Sequence, residues 1–444
     1  MPGCLKYYSI LYYIVYCKTP TIMKLTNESE LLISYFTKNK CVQSSDPNKH
    51  TTEIIRKLYI DIYHAYVFVQ KLKHAEGNRF YKPKAKSIQS VSQITKPASF
   101  DFHSFPEQVQ QQIKELMSSE LEYSFSLFGR KIKLYFVLEN SKLDIDVNKY
   151  NRYVDSILMW LFLLDKYGSK GCGSNSLSLY FYFTSLRKKL PKSNIDVLDT
   201  VHVNTAFTRT CQKDAEIVVF REEEWFKVLL HETFHTFALD FSDMDMTKCN
   251  TSILSIFEVE SEVNLFESYT EFWAEIMNAL FCSFHSLHDK KDIETFITHC
   301  DFFINIERTY SFFQLVKTLD FMNLTYKNLY SKNKKDTLLR TSSYKEKTNV
   351  LSYYIIKTIL MNDYQLFFNW CSLNNDSIIQ FKKTDANLEA YCEFIHKKHK
   401  SSSMIANINH TEKCYHNFIK HYSKHKNSIN YLLTNMRMSI CELG

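Results

Sequence analysis

Seven glycines and seven prolines in 444 residues leave little material for tight turns. No G-x-G-x-x-G and no G-x-x-x-x-G-K-[ST] occurs, so the phosphate-cradling loops of nucleotide-binding folds have no basis here. The twelve cysteines are scattered from Cys4 to Cys441, with no C-x-x-C pair and no short-spaced framework. That pattern predicts free thiols, mostly buried as small apolar residues, in a reducing compartment. Long apolar runs are also missing. Ile157 to Leu164 is the longest, far below the ~18 residues of a membrane span. Tyr7 to Cys17 is shorter than a span and flanked by Lys6, Lys18 and Pro20, with no A-x-A-like cleavage site. It reads as a buried element. A secretory signal core and a start at Met23 are the rival readings. The expected location is therefore intracellular. The net charge of +7 is mild for this length, so nucleic acid is not an expected partner.

What the chain does have is apolar mass: 45% hydrophobic and 15% aromatic residues, enough for a large core in two or three domains. Residues 1–97 read as a Lys-rich helical region closed by a polar, two-proline stretch at 82–97. From 98 to 254 the periodicity predicts a mixed sheet with helices. A helix covers Pro106–Glu120, and a hairpin joins Tyr123–Leu127 to Lys131–Leu138 around Phe-Gly-Arg. An apolar helix over Asp144–Tyr167 ends near Gly168. Strands follow at Ser176–Thr184, Val201–Thr208 and Glu216–Arg221, then a helix over Glu222–Phe241 with three glutamates in its first turn. Residues 255–390 read as a helical subdomain and 391–444 as a basic His/Lys-rich tail. The fold class is thus α+β, with a helical C-terminal half.

The chemistry concentrates at His231-Glu232-Thr233-Phe234-His235. Histidines at i and i+4 share one helix face, close enough for two imidazoles to reach one zinc at ~2.0–2.1 Å. Glu232 lies about 100° round the helix, where a carboxylate serves as general base rather than ligand. Composition alone yields such a pentapeptide roughly 0.03 times in this chain, and the apolar neighbours argue against two idle histidines.

A third ligand has to come from elsewhere, because Ala238 and Phe241 stand where an extended motif would carry Gly and His. Phe266–Phe281 (FESYTEFWAEIMNALF) carries Glu267, Glu271 and Glu275 on one face of an otherwise apolar helix. Three like charges there demand a cation. Two registers are open: Glu271 as ligand with Glu275 behind it, or Glu267 as ligand with Glu271 behind it.

His-Glu-x-x-His followed by a Glu-x-x-x-Glu helix resembles the gluzincin metallopeptidases. The Glu-Phe-Trp-Ala-Glu stretch is similar to the third-ligand helix of the anthrax lethal factor branch. The overall composition resembles zinc metalloproteinases of large nucleocytoplasmic DNA viruses, which would place the chain in host cytoplasm or virion. The resemblance implies a zincin-like sheet with an active-site helix. It assigns Glu271 as zinc ligand and Glu275 as the acid that steadies a ligand histidine. It also suggests Asn204, Ala206 and Phe207 as substrate-binding positions, although Thr205 interrupts the match.

These observations lead to an expected zinc-dependent endopeptidase with one Zn2+ per chain, held by His231, His235 and Glu271, with Glu232 as base and a protein or peptide as substrate. Tyr353 and Tyr354 are candidate oxyanion stabilisers. Two rivals remain: a structural or virion-associated protein with a non-catalytic metal, and a basic interaction module acting through the tail. The histidines at 396–425 read as a solvated basic face, and His285 and His288 as surface residues.

Overall fold

A computed structural model describes residues 25–75, 80–139, 145–422 and 428–443. The apolar stretch Tyr7–Cys17 and His425 lie outside the described residues. The chain is α+β, and it divides into two compact units. One comprises Lys57–Arg187 and Asn204–Ser242; the other comprises the chain up to Arg56, Lys188–Val203 and Asp243–Leu443. Both units are discontinuous, which differs from the four consecutive regions expected from sequence. Among the described residues no helix is long and apolar enough to cross a membrane.

The first unit holds a six-stranded mixed sheet: β1 (Lys84–Ser87), β2 (Met117–Leu127), β3 (Arg130–Glu139), β4 (Ser176–Phe183), β5 (Ala206–Thr208) and β6 (Asp214–Val219). The spatial order is β1-β2-β3-β4-β6-β5. β2 and β3 form the expected hairpin, closed with Leu127 opposite Arg130. Phe128 and Gly129 both take positive φ in its two-residue turn, as the twist of a tight hairpin requires. β3, β4 and β6 run parallel, whereas β5 is an antiparallel edge strand.

Strand alternation sends Tyr135, Val137, Tyr180, Tyr182, Val218 and Phe220 to one face, where Val109 and Ile113 of the Glu107–Leu116 helix cover them. On the other face Phe136 meets Tyr150 at 5.2 Å, and Phe181 meets Trp225 at 5.6 Å between ring centroids. Tyr150 belongs to the Val147–Tyr167 helix, which makes the crossover from β3 to parallel β4. Asp146 caps that helix by accepting from the Lys149 N–H, and Gly168 ends it. A Cβ at Gly168 would stand 2.8 Å from the Leu164 carbonyl oxygen and 3.0 Å from Phe237 Cβ, so only glycine permits this close approach.

Several element boundaries differ from expectation. β1 lies inside the region read as helix and linker. The 106–120 helix stops at Leu116, because Met117 onward pairs with β3. Residues Thr200–Val203 form a helical turn, which leaves only Ala206–Thr208 as strand.

The second unit is helical. Ile293–Phe321 is its longest described helix, and both it and Leu265–His285 are almost wholly buried. The expected basic tail is part of this unit. Its helices Asp385–Lys398 and Ser402–Tyr422 bury Tyr391, Ile395, Met404 and Phe418, while His410 and Lys420 stay outside the core. Arg437, Ser439 and Cys441 are buried, and the Glu307 carboxylate accepts from Ser439 Oγ at 2.6 Å and from the Cys441 N–H at 2.9 Å.

Two disulfides, Cys41–Cys414 and Cys172–Cys211, overturn the expectation of free thiols throughout. Spacings of 373 and 39 residues leave no local sequence signature for such pairs. Cys249, Cys282, Cys300, Cys371, Cys392 and Cys441 are free and buried, as expected. His285 is buried too, contrary to its assignment to the surface.

Candidate metal centre

The histidines stand on a helix that runs Trp225–Thr236, shorter at both ends than expected, and all twelve of its residues are buried. Glu222 and Glu223 precede it, and Glu224 caps it with φ 59°, so none of the three acids lies in the first turn. Side-chain hydrogen bonds fix the helix. Trp160 Nε1 donates to Thr233 Oγ1 at 2.7 Å, and Thr236 Oγ1 meets Thr208 Oγ1 of β5 at 2.9 Å. Trp225 adds a ring contact of 4.5 Å with Tyr153. A helix tied to both β5 and the crossover helix presents its histidines in a fixed direction.

His231 Nε2 and His235 Nε2 are 3.2 Å apart. Two nitrogens at ~2.0–2.1 Å from a tetrahedral zinc would be separated by about 3.3–3.4 Å, so the pair is spaced as two ligands of one ion. His231 is 6% exposed, and Glu232 and His235 are each 8% exposed. The other nitrogen of His235, Nδ1, pairs with Asp240 Oδ2.

Asp240 reaches His235 through the way the helix ends. The Leu239 N–H bonds the Phe234 carbonyl at 2.9 Å and the Ala238 N–H bonds that of His235 at 3.1 Å, a Schellman turn. Ala238 occupies its left-handed position at φ 54°, at a cost of ~1–2 kcal/mol for a residue with a Cβ.

The three glutamates lie on the Leu265–His285 helix of the second unit, and all three are buried. Glu267 is oriented from behind: Tyr353 Oη donates to its Oε2 at 3.0 Å, and Asn349 Nδ2 to its Oε1 at 3.2 Å. Tyr353 sits on a π-helical turn, Leu351–Ile356. Glu271 is buried one turn further on.

Glu275 has partners within its own unit. Lys357 Nζ donates to its Oε1 at 2.6 Å, and Ser311 Oγ to its Oε2 at 3.2 Å. The cation demanded at this position is a lysine, not a metal. Burial pushes the Glu275 carboxyl up, with Lys357 pulling the other way. The sequence did carry a signal: Lys357 is the single charge in the apolar run from Val350 to Met361.

The tyrosines divide. Tyr353 faces the Glu267 carboxylate, whereas Tyr354 donates to the Met436 carbonyl at 2.6 Å and belongs to the core. The suggested substrate positions divide as well. Ala206 lies on the edge strand opposite Val219. The Asn204 carbonyl accepts from Arg221 Nε at 3.3 Å. The Phe207 ring packs 4.8 Å from Phe100 and 5.0 Å from Phe105, partly buried against the sheet's core.

Asp240 went unnoticed in the sequence. An acid five residues past His235 has no helical relation to it, and only a chain reversal at a non-glycine residue brings it back. No family model matches this chain, and neither a curated protein nor a solved structure matches it.

Proposed function

We propose that the chain is a zinc-dependent endopeptidase whose metal is held by His231, His235 and a glutamate of the Leu265–His285 helix, Glu267 being favoured because Tyr353 and Asn349 hold its carboxylate. The observation that carries this reading is the 3.2 Å separation of the two histidine Nε2 atoms. Two neutral nitrogens and one carboxylate form a donor set suited to catalytic zinc, leaving a fourth position open. When bound, the ion supplies Lewis acidity to a water molecule and to a carbonyl oxygen.

The chain's own residues do the rest. Glu232, one residue after the first histidine, takes a proton from the attacking water and passes it to the leaving amine. Tyr353 and Asn349 hold the Glu267 carboxylate, which restricts its rotation and fixes which oxygen is presented. As the last strand of the sheet, β5 offers main-chain groups to an extended peptide.

Burial of His231, Glu232 and His235 to 8% exposure or less also favours a second reading, a structural zinc. Glu232→Gln separates the two. The amide is nearly isosteric but cannot accept the proton, so peptide hydrolysis should fall by at least ~10²-fold with zinc content unchanged. Elemental analysis of the protein purified without added metal should find one zinc per chain. Undiminished hydrolysis by Glu232→Gln would remove the base from this reading, and a folded chain that takes up no zinc would end it.

A further inference from the structure

The Asp240 carboxylate is completely buried. Its Oδ2 meets His235 Nδ1. Its Oδ1 accepts from the Ser242 N–H at 3.2 Å and from Ser242 Oγ at 2.9 Å, and Ser242 Oγ lies 3.1 Å from Thr210 Oγ1. The carboxylate is thus held from behind by two donors and cannot swing away from the imidazole without breaking both.

An ionised carboxylate only accepts hydrogen bonds. The nitrogen facing it must therefore carry the proton, which leaves the lone pair of His235 on Nε2, the atom 3.2 Å from His231 Nε2. Without that partner the two tautomers of an imidazole lie close in energy, and a chain in the other one would present an N–H where a ligand atom is needed. The left-handed turn at Ala238, unfavourable in itself, is what places Asp240 there.

We infer that Asp240 is a positioning residue that locks His235 in the Nδ1–H tautomer and so prepares Nε2 to bind a cation. The role rests on the zinc reading for its purpose, but the tautomer is a property of the zinc-free chain and can be tested alone. The full-length protein labelled with 15N-histidine provides the first readout. In the zinc-free wild type, His235, assigned by its absence in His235→Gln, should show the shifts of a ring protonated at Nδ1 only. In Asp240→Asn, whose amide can donate as well as accept, the signal should move towards the other tautomer. The second readout is Zn2+ affinity by chelator competition. Asp240→Asn should lose ~10–100-fold, and Asp240→Glu should recover part of it.

Asp240→Asn is nearly isosteric, and Ser242→Ala gives a second, milder route to the same displacement should the first variant fold poorly. An unchanged His235 tautomer in both variants overturns the inference. Retention of wild-type zinc affinity by Asp240→Asn overturns it as well. If the wild type binds no zinc, the metal reading fails and the tautomer measurement alone decides the role of Asp240.

Discussion

Lys357 Nζ stands 2.6 Å from Glu275 Oε1, with both side chains at 1% exposure or less. Neither charge reaches water, so each depends on the other and on Ser311, which bonds both. Removing one partner strands the other. Lys357→Met should destabilise the chain by ~3–5 kcal/mol, whereas the double variant Lys357→Met/Glu275→Leu should cost much less. Urea unfolding of the two variants measures the difference. Equal losses would mean that the pair is not coupled as its geometry requires.

The same pair bears on the metal centre, because it occupies Glu275. Zinc affinity of Glu267→Ala, Glu271→Ala and Glu275→Gln should rank by direct ligation. The first should lose more than the ~10–100-fold typical of an outer-shell partner, and the last should change little. Tyr353→Phe, which deletes the hydroxyl on Glu267, should fall within that outer-shell range. Tyr354→Phe should leave affinity alone and cost about 1 kcal/mol of stability. Metal loss in Glu271→Ala with retention in Glu267→Ala would return the ligand to the other register.

Cys172 and Cys211 close a loop of 39 residues. By loop entropy their bond should contribute about 4 kcal/mol, so Cys172→Ser/Cys211→Ser should unfold at markedly lower denaturant. Alkylation of the unreduced, denatured chain followed by peptide mass mapping should find Cys41, Cys172, Cys211 and Cys414 protected. Labelling of all four would show that the bonds do not form.

Burial holds the His285 imidazole down at about 3, with Lys290 adding to the effect, and that of His299 at about 4. Below the ordinary histidine value near 6.5, the unfolded chain takes up protons that the folded chain refuses. Their contribution is therefore complete above that pH and is lost as pH falls towards 4 and then 3. Burial raises Glu346 to about 7, and this group works in the opposite sense. A variant comparison isolates the histidine. The loss of stability between pH 6.5 and 4 should be shallower in His285→Phe than in the wild type. Denaturation series at matched pH values provide the check, and parallel acid limbs would contradict the assignment.

The sequence by itself determined the elements whose cause is local. The apolar period of the Val147–Tyr167 helix, the alternation of β2 and β3 around Phe128-Gly129, and the i, i+4 histidines with Glu232 between them all depend on residues within a few positions of each other. Tertiary structure alone decided how the three glutamates are partnered. Glu267, Glu271 and Glu275 repeat at four residues, so a shift of one turn leaves their pattern unchanged, and helical periodicity cannot choose among them. The choice was made by partners 82 to 86 positions away: Lys357 takes Glu275, while Asn349 and Tyr353 orient Glu267. Asp240 was hidden for the same reason. Its meeting with His235 depends on a backbone turn at Ala238 that no residue-type rule assigns to alanine, and that packing of the surrounding chain imposes.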